Sequence, residues 1–301
     1  MATKGIAFVT GAGTGPWFPV SVQDFSQFSA FLAQGLGKAI ALRLADDGFD
    51  VAVNDLPTSS DKLLEVVEEI KAKGRASSSH LADISIEEEV QSMFAKVVRV
   101  HGGLDVMVAN AGTIKWSSLC DMSVDDWDRI MAVNCRGTFL CYKYAGLQMI
   151  EQGRGGRIIG ATSAAGKRVG SPFMSAYSVS KFAIHGLTQS AALEYGPHGI
   201  TVNCYAPGAI TTGMMQYLDD SSAQAVGAEP GTFLEFTKNW GVLGTTGTPE
   251  DVSSLVSFIA SEESRFITGD SLDLALQVLP IELTIVGTGQ SLSVNGGMLF
   301  D

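Results

Sequence analysis

Short apolar runs of strand length alternate with longer segments of helical period along most of this chain. The runs GIAFVT, FDVAVND and LDVMVANAG are apolar throughout and rich in β-branched residues, which is typical of parallel strands covered on both faces. Apolar residues recur with helical spacing at 36–47, 60–73, 86–100, 123–152, 175–195 and 249–260. The alternation predicts an α/β fold built from βαβ units.

The composition of the 301 residues excludes several classes of protein. With 46% hydrophobic and 17% charged residues the chain can bury a large core, which argues against a disordered protein or a coiled coil. The formal net charge of −12 argues against a surface that binds nucleic acid or an anionic membrane. Its four cysteines lack CxxC spacing, so neither a disulfide framework nor a metal site is expected. The N-terminus has no recognisable targeting signal, and we expect a cytoplasmic protein without a membrane span.

The first predicted strand leads into a glycine-rich turn, VTGAGTG, whose first glycine is Gly11. Such a turn lets the backbone approach a pyrophosphate at a helix N-terminus. The turn is interrupted by a stretch that begins with PWFP and differs from the surrounding pattern. The remaining glycines of the turn, Gly35 and Gly37, come only after this stretch, where the helix begins. If residues 14–33 or 15–34 are removed, the join reads TGAGQGLG or TGAGTGLG, a complete TGxxxGxG turn. Taken alone, the glycine pattern is equally compatible with a plain tight turn.

A second segment interrupts the chain near its C-terminus, since removing 270–289 joins SRFITG to QSLSVNGG as a continuous turn and strand. Each segment is 20 residues long and differs in composition from its surroundings. We therefore interpret both as translated in-frame introns within one dinucleotide-binding domain that spans 1–301. Genuine surface insertions are the alternative, because loops tolerate added length well. A mature transcript that encodes both segments would exclude the intron interpretation.

Two carboxylates follow the second and third predicted strands. Asp55 falls about 20 residues past the glycine turn once the first segment is discounted, where a carboxylate binds the adenosine ribose hydroxyls and repels a 2′-phosphate. We therefore expect NAD rather than NADP as the cofactor. Asp83, in LADIS, is placed to accept a hydrogen bond from the adenine amino group. Each also has a purely structural interpretation, Asp55 as a turn former and Asp83 as a helix N-cap.

A candidate acid–base group lies in ATSAAGKRVGSPFMSAYSVSK. Tyr177 and Lys181 stand at i and i+4 on one face of a predicted helix, and Ser163 follows the preceding strand. A phenol with a pKa near ~10 is a poor catalyst at neutral pH unless a cation stabilises its phenolate, and Lys181 can supply that cation. Ser163 would hydrogen-bond the substrate oxygen while Tyr177 passes a proton to it as hydride reaches carbon. Singly, these residues also suit ordinary turn and helix-face positions.

The motifs occur in an order that resembles the short-chain dehydrogenase/reductase family. They are the split TGxxxGxG turn, NAG at 110–112, Asn134 in MAVNCRGTF, Ser163, YSVSK at 177–181 and PGAITT at 207–212. The resemblance covers essentially the whole chain apart from the two 20-residue segments. It implies a single-domain Rossmann fold with a doubly wound, mostly seven-stranded parallel sheet.

The resemblance also implies roles for individual residues. The implied catalytic tetrad is Asn134, Ser163, Tyr177 and Lys181, in which Asn134 holds a proton-relay water and Lys181 also binds the nicotinamide ribose. With the turn glycines and the two carboxylates included, the expected cofactor contacts are Gly11, Gly35, Gly37, Asp55, Asp83, Asn110, Gly112, Tyr177, Lys181, Ile210 and Thr212. Ser163 and Tyr177 are separated by 14 residues, one more than is commonest in the family. This predicts one extra residue in the loop at Lys167 and Arg168.

Stretches such as GKAIALRLADDGFDVAVND and YAPGAITTGM look most like NAD-linked diacetyl (acetoin) reductases and 2,3-butanediol dehydrogenases of that family. This implies a small carbonyl or alcohol substrate, and the family's usual assembly implies a homotetramer formed through the long helices near 123–152 and 175–195. The alternatives are a reductase of 3-oxoacyl thioesters, sugars or polyols, or a catalytically impaired oligomeric protein if the glycine-turn insertion is genuine.

The helical and strand patterns loosen between 213 and 248, which predicts a mobile loop or a small helical lid over a site. Several large apolar residues in and near this region are candidates for a substrate pocket, with core or lid packing as the alternative. They are Phe173, Tyr205, Met214, Met215, Tyr217, Phe233 and Trp240.

Overall fold

Seven strands form one parallel sheet within the residues that this computed structural model describes, 2–13, 35–169, 171–240 and 243–273. The strands are β1 Ile6–Thr10, β2 Asp50–Asp55, β3 Ser77–Leu81, β4 Val106–Ala109, β5 Gly156–Ala161, β6 Ile200–Ala206 and β7 Ser271–Asp273. Their order across the sheet is β3-β2-β1-β4-β5-β6-β7, so the winding direction reverses between β1 and β4. The predicted doubly wound Rossmann sheet is confirmed.

The helices follow the predicted segments closely. They are α1 Leu36–Asp46, α2 Ser60–Ala72, α3 Glu87–His101, α4 Val124–Ile130, α5 Gly137–Gln152, α6 Ser175–Tyr195, α7 Gly213–Val226, α8 Thr232–Trp240 and α9 Pro249–Ala260. The segment predicted as one helix near 123–152 is divided, because a π-helical turn, Met131–Arg136, joins α4 to α5. The segment that follows Thr212 forms α7 and α8, so a helical lid replaces the open loop that the composition also allowed.

Strand alternation explains why the central strands are apolar on both sides. Val9 and Val53 pack with α1, α2 and α9 on one face of the sheet, whereas Phe8 and Met107 pack with α3, α5 and α6 on the other. Successive side chains of a strand point to opposite faces, so a strand sandwiched between two helical layers needs apolar residues at every position. The burial of β1 is complete for this reason.

The two candidate insertions fall mostly outside the described residues. This applies to all of 14–33 and to 274–289, as well as to the strand expected after 289. The first residues of the second segment are described, and Ser271–Asp273 form β7 by pairing in parallel with the end of β6. The Ser-Leu pair at 271–272 recurs in the sequence at 291–292.

Helix α9 begins as its sequence predicts. The Thr248 hydroxyl accepts a hydrogen bond from the Asp251 backbone N–H, and the Asp251 carboxylate accepts one from the Thr248 backbone N–H. This reciprocal capping box, with Pro249 in the first turn, fixes where the helix starts. Within the described ranges, no helix combines the length and the apolar character that crossing a membrane requires.

A buried histidine on β3 makes the stability of the fold depend on pH. His80 Nε2 lies 2.8 Å from Ser78 Oγ, which is 2.7 Å from His101 Nε2. Burial, with a smaller contribution from His101, lowers the pKa of His80 to about 4. The folded state binds a proton on His80 more weakly than the unfolded chain does. The stability that neutral His80 contributes is therefore fully present above pH ~6.5 and is lost as the pH falls towards ~4.

We predict that His80→Gln flattens the acid side of the stability profile. The free energy of unfolding of the original protein should fall by up to about 3 kcal/mol more than that of the variant between pH ~6.5 and ~4. Urea unfolding at several pH values measures this difference. His198→Gln is the matched control, since His198 is exposed. Parallel profiles for the original protein and His80→Gln would contradict the prediction.

Candidate active site

A cleft of about 350 Å³ opens at the carboxyl ends of β1 and β4, where the strand order reverses. Ligands bind at this switch point in open α/β sheets because the loops on its two sides diverge. The cleft is lined by the predicted site residues Gly11, Gly35, Asp55, Asp83, Asn110, Gly112, Ser163, Tyr177, Lys181, Ile210 and Thr212. The two other predicted site residues, Gly37 and Asn134, lie behind the cleft wall and act on it indirectly.

The ends of β1 and β4 are joined by hydrogen bonds from Asn110. Its side-chain amide donates to the carbonyl oxygens of Thr10 at 2.9 Å and Gly11 at 3.3 Å. The Thr10 hydroxyl accepts from the backbone N–H of Asn110 at 3.1 Å and of Ala111 at 3.2 Å. On the other side, the Tyr205 hydroxyl donates to Asn110 Oδ1 at 2.8 Å. This network holds the two loops that form the floor of the cleft.

The two parts of the split glycine turn meet at this floor. Gly11 has a φ of +67°, a left-handed conformation that favours glycine, and its carbonyl oxygen faces Gly37 at the start of α1. A Cβ atom at Gly37 would collide with that carbonyl group and with the Asn110 amide. Gly13 and Gly35, which flank the undescribed segment, both line the cleft. The backbone is thus bare where a pyrophosphate would approach it.

Asp55, the last residue of β2, lies at one end of the cleft. One carboxylate oxygen accepts a hydrogen bond from the Leu56 backbone N–H at 2.8 Å, and the side chain packs against Gly13. Burial raises the pKa of Asp55, although hydrogen bonds from Leu56, Ser59 and Gly13 oppose this effect. A partly desolvated acceptor faces the cleft here, which suits the hydroxyl groups of a ribose and disfavours a phosphate.

Asp83 also faces the cleft, but its alternative interpretation as a helix N-cap is wrong, because Ile86 occupies that position of α3. Its carboxylate accepts hydrogen bonds from the Ser85 backbone N–H and hydroxyl at 2.8 and 2.7 Å, which closes the turn before α3. The two basic residues of α1 point elsewhere. Lys38 pairs with Glu69 at 2.8 Å, and Arg43 pairs with Asp47 at 3.2 Å. Among the described residues that line the cleft, the basic ones are Arg168 and Lys181.

The opposite end of the cleft holds Ser163, Tyr177 and Lys181. Ser163 caps the short turn after β5, and its hydroxyl accepts the Ala165 N–H at 3.2 Å. The Lys181 ammonium donates to the Ala161 carbonyl oxygen at 2.7 Å and lies 5.6 Å from the centre of the Tyr177 ring. One turn of α6 separates the two residues, so they share a face as predicted.

The electrostatics of this group follow from its burial. Desolvation lowers the pKa of Lys181 to about 8 because the charged ammonium loses hydration. Desolvation raises the pKa of Tyr177, while the hydrogen bond with the Ser163 side chain lowers it by a smaller amount. The phenol is therefore protonated at neutral pH, next to a cation that is ready to stabilise the phenolate. The trio can exchange a proton with an oxygen atom placed beside Tyr177.

Asn134 is fully buried in the π-helical turn and lies outside the cleft surface. Its Oδ1 accepts the Thr113 backbone N–H at 2.7 Å, and its amide donates to the Thr113 carbonyl oxygen at 2.8 Å and to Ser180 Oγ at 2.9 Å. Asn134 thus connects the loop after β4 to α6. A Cβ atom at Gly112 would lie 3.2 Å from Asn134 Oδ1 and 3.3 Å from Lys181 Nζ, so only glycine leaves this corner open.

Ile210 and Thr212 lead from β6 into the lid. Ile210 forms an isolated parallel bridge with Gly247, and Thr212 stands directly before α7. Met214, Met215 and Phe233 line the cleft as predicted. Phe173 and Tyr217 instead pack against the residues that surround this part of the cleft. Tyr205 is different, because it is buried in the core and supports Asn110 instead of lining a pocket. The side chain of Trp240 lies outside the described atoms.

Sequence reasoning did not identify two residues that shape the site. For Tyr205 the core-packing alternative is correct, but its hydrogen bond to Asn110 was not predicted, although a tyrosine in an otherwise apolar strand already signals a buried hydroxyl that needs an acceptor. Asp219 lies in the lid, is fully buried and accepts backbone N–H groups of Gly231, Phe233 and Leu234. Nothing in its sequence neighbourhood distinguishes it from the adjacent Asp220. Within the described residues, no cluster of histidine, cysteine or carboxylate side chains could hold a metal ion.

Comparison with known proteins agrees with this geometry. A family model described as enoyl-(acyl carrier protein) reductase matches residues 30–274. A short-chain dehydrogenase/reductase of Armillaria gallica is 45% identical, covering 98% of this chain and 96% of its own. An L-2,3-butanediol dehydrogenase of Corynebacterium glutamicum is 37% identical, covering 89% and 96%.

Solved structures extend the similarity to the arrangement of the fold. An NAD⁺-bound xylitol dehydrogenase has a TM-score of 0.77 and 30% identity, covering 89% of this chain and 96% of its own. A short-chain dehydrogenase of Burkholderia cenocepacia, solved in complex with NADP, has a TM-score of 0.75 and 31% identity, covering 97% of this chain and 96% of its own. These two solved relatives thus bind NAD⁺ and NADP, respectively. The match over most of the chain, together with the cleft and its Ser-Tyr-Lys group, makes this protein a member of the short-chain dehydrogenase/reductase family and an oxidoreductase.

Proposed function

We propose that this protein is an NAD(H)-dependent oxidoreductase that interconverts a ketone or diketone, with diacetyl and acetoin as the smallest candidates, and a secondary alcohol. One observation carries the proposal: Ser163, Tyr177 and Lys181 meet at one end of a cleft whose other end presents Asp55. The distance between the ends is spanned by a glycine-lined floor that suits a dinucleotide. The similarity to an L-2,3-butanediol dehydrogenase supports a vicinal hydroxyketone or diketone as a substrate.

A nicotinamide cofactor, when bound in this cleft, supplies or accepts the hydride. In ketone reduction, Tyr177 donates its phenolic proton to the carbonyl oxygen, and Ser163 donates a hydrogen bond to the same oxygen. Lys181 stabilises the phenolate that remains, because its buried ammonium is close to the Tyr177 ring. In alcohol oxidation the phenolate accepts the proton. Asn134 holds the loop after β4 to Ser180, the neighbour of Lys181 on α6, and completes the proposed tetrad.

The proposal predicts that Tyr177→Phe lowers kcat for NADH-dependent diacetyl reduction by about 10²- to 10⁴-fold, the range expected for loss of a general acid. The affinity for NADH should change little, because the aromatic ring is retained. NADH oxidation after addition of diacetyl or acetoin, with separate NADH titration, measures both quantities. Tyr144→Phe is the matched control, because it removes a phenol hydroxyl that bonds to Glu87 away from the cleft. Full activity of Tyr177→Phe would refute its proposed role.

The same titration tests whether the chain functions with its long glycine turn. We propose that 14–33 is an insertion into this turn, because the glycines on both sides of it line one cleft. NADH binding by the 301-residue protein would show that the turn assembles around the segment. Binding only after deletion of 14–33 would favour the catalytically impaired alternative for the full chain.

Ketone reduction should also report the charge of Lys181. Because its pKa is about 8, the ammonium is present below that pH and is lost above it, while Tyr177 stays protonated over the same range. We therefore predict that kcat/KM falls as the pH rises through about 8. In Lys181→Arg the cation persists, so the falling limb should move upwards even if the rate is lower throughout. Lys143→Arg, a surface change, should keep the original profile. Identical limbs in all three proteins would contradict the assignment.

Cofactor preference should depend on Asp55. Replacing it by asparagine removes the charge that repels a 2′-phosphate, so Asp55→Asn should raise the ratio of kcat/KM for NADPH to that for NADH by about tenfold or more. Asp83→Asn is the control, because this carboxylate also lines the cleft but faces no ribose hydroxyl in the proposal. Equal ratios in the original protein and Asp55→Asn would leave NAD preference without its proposed cause.

We further propose a cytoplasmic homotetramer. The outer surfaces of α5 and α6 expose several large apolar residues. Soluble monomers seldom expose so many apolar side chains on neighbouring helices. These residues are Phe139, Leu147, Val179, Phe182 and Leu193. Sedimentation velocity would show a monomeric mass if this surface remained uncovered.

A further inference from the structure

We propose that the natural substrate carries an apolar body of about ring size on the carbon next to the reacting group, and is neutral. This inference rests on the proposed function and deepens it, because it concerns the part of the cleft beyond Tyr177. Six apolar side chains from four parts of the chain line that part. They are Ile114, Met174, Met214, Met215, Leu218 and Phe233.

A second layer of aromatic rings supports this apolar wall. The rings of Trp116 and Phe233 are 5.5 Å apart in an edge-to-face arrangement, and those of Trp116 and Phe173 are 5.6 Å apart. Edge-to-face and offset contacts at these distances are mutually favourable for aromatic rings. Phe173 is held at a φ of +65°, and its carbonyl oxygen accepts the Ser117 N–H at 2.9 Å. Residues other than glycine rarely adopt this backbone conformation, so the contacts around the Phe173 ring must hold the residue in it.

The lid is built to keep Phe233 in place. Asp219 of α7 accepts hydrogen bonds from the N–H groups of Phe233 at 2.9 Å and Leu234 at 3.0 Å, and from that of Gly231. A buried carboxylate that satisfies the first N–H groups of α8 joins the two lid helices and fixes the direction of Phe233. The wall is therefore organised before a substrate arrives, and an apolar ligand meets little ordering cost there.

The polar groups near the wall are few and mostly engaged. The Thr237 hydroxyl, which also lines the cleft, donates to the Leu234 carbonyl oxygen at 2.8 Å. Ser163 and Tyr177 are assigned to the reacting oxygen. A polyol would therefore leave several hydroxyl groups without partners in an apolar pocket, which costs free energy for each group. Two groups are contrary signals. Arg168 lies at the exposed mouth of the cleft, outside the six-residue wall, and would suit a carboxylate. The buried Trp116 Nε1 has no hydrogen-bond partner among the described residues and would suit a substrate oxygen.

A homologous series of ketones tests this inference directly. Each added methylene buried against the wall should raise kcat/KM about fourfold, so 2,3-hexanedione should exceed diacetyl by about tenfold or more. 1-Phenyl-1,2-propanedione should be better still, because its ring can lie against Phe233. In the same NADH assay, 3-oxohexanoate tests for an anionic substrate and xylulose for a polyol.

Two variants of one helix show whether the wall causes the trend. Phe233→Ala should lower the ratio of kcat/KM for the larger diketones to that for diacetyl at least tenfold. Phe236→Ala, which removes an exposed ring three residues further on, should keep the full trend. If Phe233→Ala fails to fold, Phe233→Leu should show the same loss specifically for the phenyl compound.

The outcomes separate this inference from the proposed function. Equal or falling kcat/KM from diacetyl to the larger diketones, or a preference for 3-oxohexanoate or xylulose, would overturn the apolar body. If no ketone is reduced although NADH binds, the proposed reaction fails. The affinity of the same compounds for the NADH-loaded protein, measured calorimetrically, then decides the inference separately, because only an apolar pocket ranks them by size.

Discussion

The hydrogen bonds between the ends of β1 and β4 are the constraint on which the rest of the site depends. The connections after these two adjacent parallel strands leave in opposite directions, and the divergence of the two loops creates the cleft. Asn110 fixes its width by donating to two carbonyl groups of the other loop, and Tyr205 fixes the orientation of that amide from below. Gly11 and Gly37 can approach this point only because neither has a side chain.

The chemistry of the opposite end arises from burial of groups that would be ordinary in water. Lys181 is held against the Ala161 carbonyl group at the end of β5, and desolvation lowers its pKa towards neutrality. The same desolvation raises the pKa of Tyr177, and the hydrogen bond with Ser163 lowers that pKa by a smaller amount. These opposite shifts move the two pKa values apart, so the phenol stays protonated over the range in which the neighbouring ammonium can lose its charge. Asn134 contributes by holding the loop and helix that carry them.

In the proposed function, the ends of the strands contact the cofactor and the lid helices α7 and α8 contact the substrate. The residues of the sheet ends and their first loops are placed by strand register, so they can be rigid and specific for a cofactor. The substrate wall instead comes from α7, α8 and the segments around Trp116 and Phe173, which the sheet does not fix. A single buried carboxylate, Asp219, replaces strand register as the organising interaction there. Substrate size can change within such a fold without disturbing the proton-transfer group.

Much of the fold followed from local patterns. Apolar periodicity predicted α1, α2, α3, α6 and α9 within one or two residues, because amphipathic spacing and caps such as Thr248 act over a few neighbouring positions. The motif order also located the eleven predicted residues that line the cleft. The break between α4 and α5 was not predicted, because a π-helical turn reflects the bonds of Asn134 to Thr113 and Ser180, which are distant in sequence.

The amino-acid sequence alone thus determined the alternating architecture, the family and the candidate reactive side chains, since each depends on spacing along the chain. Only the tertiary structure decided that Tyr205 supports Asn110 instead of lining the pocket, that Asn134 lies behind the wall, and that Asp219 anchors the lid. Each of these depends on which polar group meets which partner after burial, and hydrogen-bond partners from separate elements are chosen by packing in three dimensions.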